Sequence, residues 1–183
     1  LNPNSLGQPA YNIELTAPYD ITWHAGDIAE IQPANARTEI QTFLEKHQIP
    51  AQTLVKSSNQ TIEETLWDKN LRVEIKPFTN LETLVEQLPR LPTREYSIAS
   101  IPSQQVIRLV VRQKSDTQGH LGLGSGWLTE FVQLKEKVAL RIRTNESFHL
   151  IDDNRPIICI GNGTGIAGLM SLLQQRNRQN YVE

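Results

Sequence analysis

Ile157-Ile158-Cys159-Ile160-Gly161-Asn162-Gly163-Thr164-Gly165-Ile166-Ala167-Gly168 is the stretch on which the fold reading turns. Its first four residues form a short apolar run, the pattern of a parallel strand buried on both faces. The glycines that follow let a backbone approach an anion closely. Beyond them Ile166, Leu169, Met170 and Leu173 share one helix face. Strand, glycine loop and helix open a βαβ unit. The sequence ends at Glu183, so the rest of such a domain is expected outside it.

Upstream the pattern changes. Tyr11, Ile13 and Leu15 alternate with polar residues, which is strand periodicity. Ile28-Ala29-Glu30-Ile31 follows the Gly26-Asp27 turn and stops before Pro33. Asn35 is placed to cap a helix carrying Ile40, Phe43 and Leu44 on its apolar face. Residues 51–92 read as a small helical insertion. Thr61-Ile62-Glu63-Glu64 has capping-box spacing, and Leu81, Leu84, Val85 and Leu88 lie on one helix face before Pro89. Strand patterns return over 94–100, 105–113 and 138–143. Between the last two lies a glycine-rich loop, 119–126, and a short helix near Trp127. The class is therefore α+β.

Composition narrows the function. In 183 residues, 18 Lys and Arg face 20 Asp and Glu. A net charge of -2 leaves no basic excess for a nucleic-acid backbone. The single Cys159 excludes an internal disulfide and a Cys-ligated metal or iron–sulfur cluster. Its apolar neighbours predict a packing role. His24, His47, His120 and His149 show no metal-ligand spacing, so no metal site is expected. No apolar run reaches the ~20 residues of a membrane span. The chain starts at Leu1 without a signal-like lead, and it reads as a piece of a longer protein.

Three segments can bind a phosphorylated ligand, and each also has an ordinary structural reading. Gly161, Gly163, Gly165 and Thr164 precede a helix whose first N–H groups are free for an anion. Gly122, Leu123, Gly124 and Ser125 offer more N–H groups and a hydroxyl, or simply a loop capped by Ser125. Arg94-Glu95-Tyr96-Ser97 puts Arg94 and Tyr96 on one face of an extended segment and Ser97 on the other. Arg pairs with a pyrophosphate, Tyr stacks on a flat ring, and Ser can bond a ring nitrogen. Otherwise this is a half-buried strand.

Taken together and in this order, the segments resemble the ferredoxin–NADP reductase family. Arg94-Glu95-Tyr96-Ser97 matches its R-x-Y-S element. Gly122-Leu123-Gly124-Ser125-Gly126-Trp127-Leu128 matches its second FAD loop, and Gly161 to Gly168 its NADP pyrophosphate loop. Gly26-Asp27 with Pro33-x-Asn35 is similar to the diflavin branch. Val110-Val111-Arg112 and Asn145-x-x-Phe148-x-Leu150 are similar to NADPH-dependent sulfite reductase flavoproteins.

The resemblance implies a six-stranded antiparallel FAD barrel from 1–50 and 93–152, interrupted by a helical connecting insertion at 51–92. The start of a truncated, Rossmann-like NADP domain would follow at 153–183. It implies that Arg94 holds the FAD pyrophosphate, Tyr96 stacks on the isoalloxazine, and Ser97 sits catalytically near flavin N5. Ile107, Arg108 and Leu109 would contact the flavin through their backbone. Gly122, Leu123, Gly124 and Ser125 would hold its pyrophosphate. Gly163, Thr164 and Gly165 would begin an incomplete NADPH site. It further implies hydride transfer from NADPH to FAD, then electron transfer to FMN in a flavodoxin-like domain and on to an acceptor such as a haemoprotein. The setting would be the cytoplasm or the cytoplasmic face of a membrane. A non-catalytic flavin-binding module, or a single-flavin ferredoxin- or cytochrome-type reductase, are the alternatives.

Two departures stand out. Asn162 and Gly168 replace prolines in the NADP loop, predicting a looser loop. Gln113 stands where sulfite reductases commonly have a Tyr beside the adenosine.

Overall fold

The computed structural model describes residues 1–4, 7–16, 18, 20–151, 153 and 155–180. Strands β1 (Ala10–Thr16) and β6 (Val106–Arg112) pair antiparallel over their whole length, with Ala10 opposite Arg112 and Thr16 opposite Val106. Strand β2 (Ile28–Ile31) lies between β5 (Arg94–Ser97) and β7 (Leu140–Arg143), again antiparallel. An isolated bridge from Ile98 to Leu109 joins the two sheets.

Mixed α/β architecture with antiparallel sheets is thus present, and among the described residues the strands form separate sheets without barrel closure. The described residues supply five strands to this system, in two sheets. After Ser97 the chain leaves β2: Ile98 N–H donates to Asp27 O and Ala99 N–H to Arg108 O. That transfer of pairing from β2 to β6 makes the corner between the sheets. A one-turn π-helix, Trp127–Phe131, contributes the rest of the core wall through buried Trp127 and Leu128.

Alternation explains the packing. On β6, Ile107, Leu109 and Val111 are fully buried, while Arg108, Val110 and Arg112 are not. The buried set meets Ala29 and Ile31 of β2, Trp23 and Ile98. Each such side chain stabilises the fold by roughly 1.5–3 kcal/mol. Trp23 Nε1 donates to Ser100 O, so its one polar atom is satisfied in the core.

A second core holds the insertion. It comprises a short hairpin, β3 (Leu54–Val55) with β4 (Gln60–Thr61), and helices α2 (Ile62–Thr65) and α3 (Leu81–Gln87). Thr61 and Glu64 form the expected capping box. Val55, Ile62, Leu66, Leu84 and Leu88 pack on Ile40, Phe43 and Leu44 of helix α1 (Arg37–Lys46). The helix cap at Asn35 needs correction. Ala36 occupies the cap position. Asn35 is buried, and its Nδ2 donates to Leu66 O and Lys69 O at 2.8 and 2.7 Å. It ties the insertion to the end of β2.

The C-terminal strand is the larger correction. Residues 157–160 are not a strand, and Ile158 and Ile160 are each 89% exposed. Cys159 is exposed rather than packed. Among the described residues no strand pairs with this run, so its apolar side chains have no sheet to bury against. The glycine turn and helix α4 (Ile166–Asn180) do form. Ala167, Ser171 and Leu172 of α4 are buried. Gly168 is helical, and a Cβ there would lie 2.8 Å from Phe148 Cε1. At this position the missing side chain admits the Phe148 ring.

The Gly26-Asp27 turn ties these parts together. Gly26 has φ +101°, and a Cβ there would lie 2.6 Å from Phe148 O. Its N–H donates to Ser171 Oγ of α4 at 3.0 Å. Asp27, 1% exposed, accepts from His24 N–H at 2.8 Å, Asn145 N–H at 3.0 Å and His149 Nε2 at 2.7 Å. Burial pushes its pKa up, but these donors outweigh burial and hold it below its ordinary 3.8.

This packing is open to test at both ends of the chain. A depressed folded pKa gives stability that is complete above the unfolded value and lost as pH falls through the folded one. Asp27→Asn should therefore cost about 1–3 kcal/mol at pH 7, because an amide N–H₂ must face one of the donors. The variant's deficit should shrink in acid denaturant melts; a pH-independent deficit would contradict this role for the carboxylate. Cys159 should react with a thiol reagent in the native protein about as fast as in the unfolded chain.

Candidate functional site

Strand β5 and the chain after β6 bring Arg94, Tyr96, Gly122, Leu123, Gly124 and Ser125 into one cavity of about 380 Å3. Thr164 reaches the same cavity from the C-terminal glycine turn. Period-two alternation sends Arg94 and Tyr96 to one side of β5. The glycine loop is laced to the end of β6. Gly122 N–H donates to Lys114 O at 2.8 Å, and Lys114 N–H donates to Ser125 Oγ at 2.9 Å. The loop then turns helical, with Gly126 N–H on Gly122 O and Leu128 N–H on Gly124 O. The N–H groups of Leu123, Gly124 and Ser125 precede the first of these bonds and have no intrahelical acceptor. The Ser125 hydroxyl accepts from Lys114 and keeps its own proton to donate.

Glycine at 124 is a steric requirement. A Cβ there would lie 2.5 Å from Arg94 Cγ. The arginine stem thus lies across the loop, with its guanidinium beside the free N–H groups. Arg94, Arg112 and Lys114 all border the cavity, and none has a carboxylate within ion-pair distance among the described residues. Elsewhere Arg72, Arg108, Arg141 and Arg143 are paired with Glu39, Glu14, Glu30 and Glu95. Glu95 also reaches the cavity, but Arg143 occupies it. The cavity is therefore a cationic recess with a glycine-rich floor, suited to a diphosphate. Burial raises the Tyr96 pKa, and the Arg94 charge only partly opposes this, so its phenol stays neutral at pH 7.

Around the C-terminal turn, Gly163 has φ +57° and Gly165 has open space beside it. Thr164 borders both the first cavity and a neighbouring one of about 480 Å3. That second cavity lies between β1, β6 and the start of α4, and includes Asn12, Arg108, Ile166 and Met170.

Other sequence-derived candidates lie elsewhere. Ser97 is half-buried on the opposite face of β5, its Cβ 3.5 Å from where a Gly168 Cβ would sit. Ile107 and Leu109 point into the core. Arg108 bonds Glu14, its N–H donates to Ser100 Oγ, and its carbonyl accepts from Ala99. Gln113 Nε2 donates to Thr129 Oγ1 and offers no ring for stacking. Val110, Arg112 and Lys114 also line the cavity; the first two carry part of the family resemblance in the sequence but, like Lys114, were given no place in the site there. The alternation of β6 could have found the first two, since Val110 and Arg112 share the face that the buried Val111 leaves. Among the described residues no cluster of His, Cys, Asp and Glu is placed to hold a metal.

No family model matches the chain. The flavoprotein alpha-component of NADPH sulfite reductase from Mannheimia succiniciproducens is 33% identical over 124 residues, covering 64% of this chain and 20% of that protein. NADPH–cytochrome P450 reductase from Dictyostelium discoideum is 32% identical over 122 residues, covering 60% and 18%. The chain thus spans about a fifth of the length of these relatives. A ferredoxin–NADP+ reductase from Plasmodium falciparum, solved with 2′P-AMP, superposes with a TM-score of 0.58 at 17% identity, over 95% of this chain and 47% of that one. It shows a shared fold.

The close approach at Gly124 can be checked directly. Gly124→Val should displace the Arg94 side chain, seen as a shift of its Nε–H resonance. Gly165→Ala, which meets nothing within 4 Å, should leave that resonance in place.

Proposed function

We propose, from the chain's homology to the diflavin branch of the ferredoxin–NADP reductase family, that it is the FAD-binding part of an NADPH-dependent flavoprotein reductase. The observation that carries the reading is the convergence of Arg94, Tyr96, the Gly122–Ser125 loop and Thr164 on one cavity. These segments lie far apart in sequence, and each has the chemistry the flavin cofactor needs.

The residues fit the group. Unpaired Arg94 and the Leu123, Gly124 and Ser125 N–H groups would hold the pyrophosphate, with the Ser125 hydroxyl as a further donor. Neutral Tyr96 would offer its face to the isoalloxazine. Ile107 to Leu109 would lie beside the ring as strand backbone, although the Arg108 N–H and carbonyl are already bonded to Ser100 Oγ and the Ala99 N–H. FAD, when bound, supplies a ring that takes hydride from NADPH at N5 and passes electrons on. The protein's part is orientation and exclusion of water. Ser97, at the seam between β5 and α4, would place its hydroxyl near N5. Gly163, Thr164 and Gly165 would receive the NADPH pyrophosphate at the start of α4.

The proposed division is a flavin barrel from 1–50 and 93–152, a connecting insertion at 51–92, and the beginning of an NADP domain at 153–183. In a protein of the relatives' length, electrons would pass to FMN in a flavodoxin-like domain and then to an acceptor such as a haemoprotein. A cytoplasmic setting is part of the same proposal. Among the described residues no helix is long and apolar enough to cross a membrane.

Titration of the purified chain with FAD tests the reading. Binding should quench flavin fluorescence, and Arg94→Ala should weaken it by about 10–100-fold, the loss of a charge-assisted contact. Equal affinity in wild type and variant would remove Arg94 from the site.

A further inference from the structure

We propose that Arg112 is a shared phosphate ligand, with its guanidinium placed to contact the flavin pyrophosphate on one side and the dinucleotide pyrophosphate on the other. The inference rests on the flavin reading above and adds a coupling between its two ligands.

Arg112 ends β6, opposite Ala10. Val111 is fully buried, so strand alternation turns Arg112 to the face of Val110. There it borders both cavities, the recess of Arg94 and Ser125 and the neighbouring space beside α4. Among the described residues only Val110 and Thr164 share that position with it. Its Nη1 donates to Gln8 O at 2.9 Å. Its Nη2 lies 3.5 Å from where a Cβ of Gly163 would be, so the guanidinium rests against the positive-φ residue of the second glycine loop.

Arg108, on the same face of the strand, is paired with Glu14 at 2.9 Å. Arg112 has no such carboxylate among the described residues. A half-buried guanidinium has five N–H donors. With one used on Gln8, the remainder can serve oxygens from two directions. A phosphate arriving at either loop would fix the guanidinium and Gly163 in place. The second ligand then meets a site already ordered, which is positive coupling. Coupling of this kind is reciprocal: NADP+ should tighten FAD as much as FAD tightens NADP+.

FAD titrations of the purified chain, with and without saturating NADP+, test this. Wild type should bind FAD more tightly when NADP+ is present. Arg112→Gln should weaken FAD about tenfold and abolish the NADP+ effect, while Arg112→Lys should recover part of the FAD affinity. Arg94→Ala should weaken FAD yet keep the NADP+ effect. Circular dichroism and thermal melts confirm that each variant folds. An Arg112→Gln protein that binds FAD and responds to NADP+ as wild type does overturns the proposal. So does a wild type that binds FAD with no response to NADP+. A wild type that binds no FAD defeats the flavin reading itself, and this inference with it.

Discussion

The buried carboxylate of Asp27 is the constraint on which the arrangement of the molecule depends. Its oxygens accept two backbone N–H groups and one imidazole, drawn from the turn before β2 and from the return segment after β7. A carboxylate removed from water without such partners would be costly. The adjoining Gly26 carries the same connection onward, through its N–H to Ser171 of α4 and its carbonyl to Asn145. One two-residue turn thus fixes the start of the central sheet, the segment leading out of it and the helix behind the second glycine loop. Asp27 O also receives Ile98 N–H, the bond at the corner where β5 hands over to β6. Arg94 and Tyr96 owe their position to that corner.

Charge pairing then separates scaffold from site. Along the outer faces of the strands, arginines are neutralised by glutamates across the sheet, as in Arg108 with Glu14 and Arg143 with Glu95. Such exposed pairs contribute little to stability. Their effect here is selective, because they occupy Glu95 and leave Arg94, Arg112 and Lys114 of the recess without a carboxylate partner among the described residues. The backbone around it is glycine, so a ligand can approach N–H groups that side chains would cover.

Local patterns are legible where the interactions are local. The capping box at Thr61, the apolar face of α1 and the period-two alternation of β1 and β6 depend on neighbours a few residues away. The loop at Gly122–Ser125 is legible because glycine at that density keeps backbone N–H groups uncovered and admits a close neighbour, here the Arg94 stem. Asn35 reads as a cap because capping is the commonest local use of Asn before a helix; its real partners are carbonyls more than thirty residues on. Ile157–Ile160 reads as a strand because apolar runs usually have a sheet to enter. Whether a strand forms depends on a hydrogen-bonding neighbour, and a sequence window carries no record of one.

The sequence by itself determined the strand segments, the helical insertion, the two glycine turns and the residue types that can meet a phosphorylated, ring-bearing ligand. These follow from periodicity, backbone freedom and side-chain chemistry, all of which act within a few residues. Tertiary structure decided which of those residues share a cavity. It set Arg94 against Gly124, turned Ser97 toward α4, drew Ile107 and Leu109 into the core, and brought Arg112 between the two loops. It also left five strands without barrel closure among the described residues. These outcomes rest on contacts between segments tens of residues apart, where steric fit and the satisfaction of buried polar groups choose among arrangements that the local pattern permits equally.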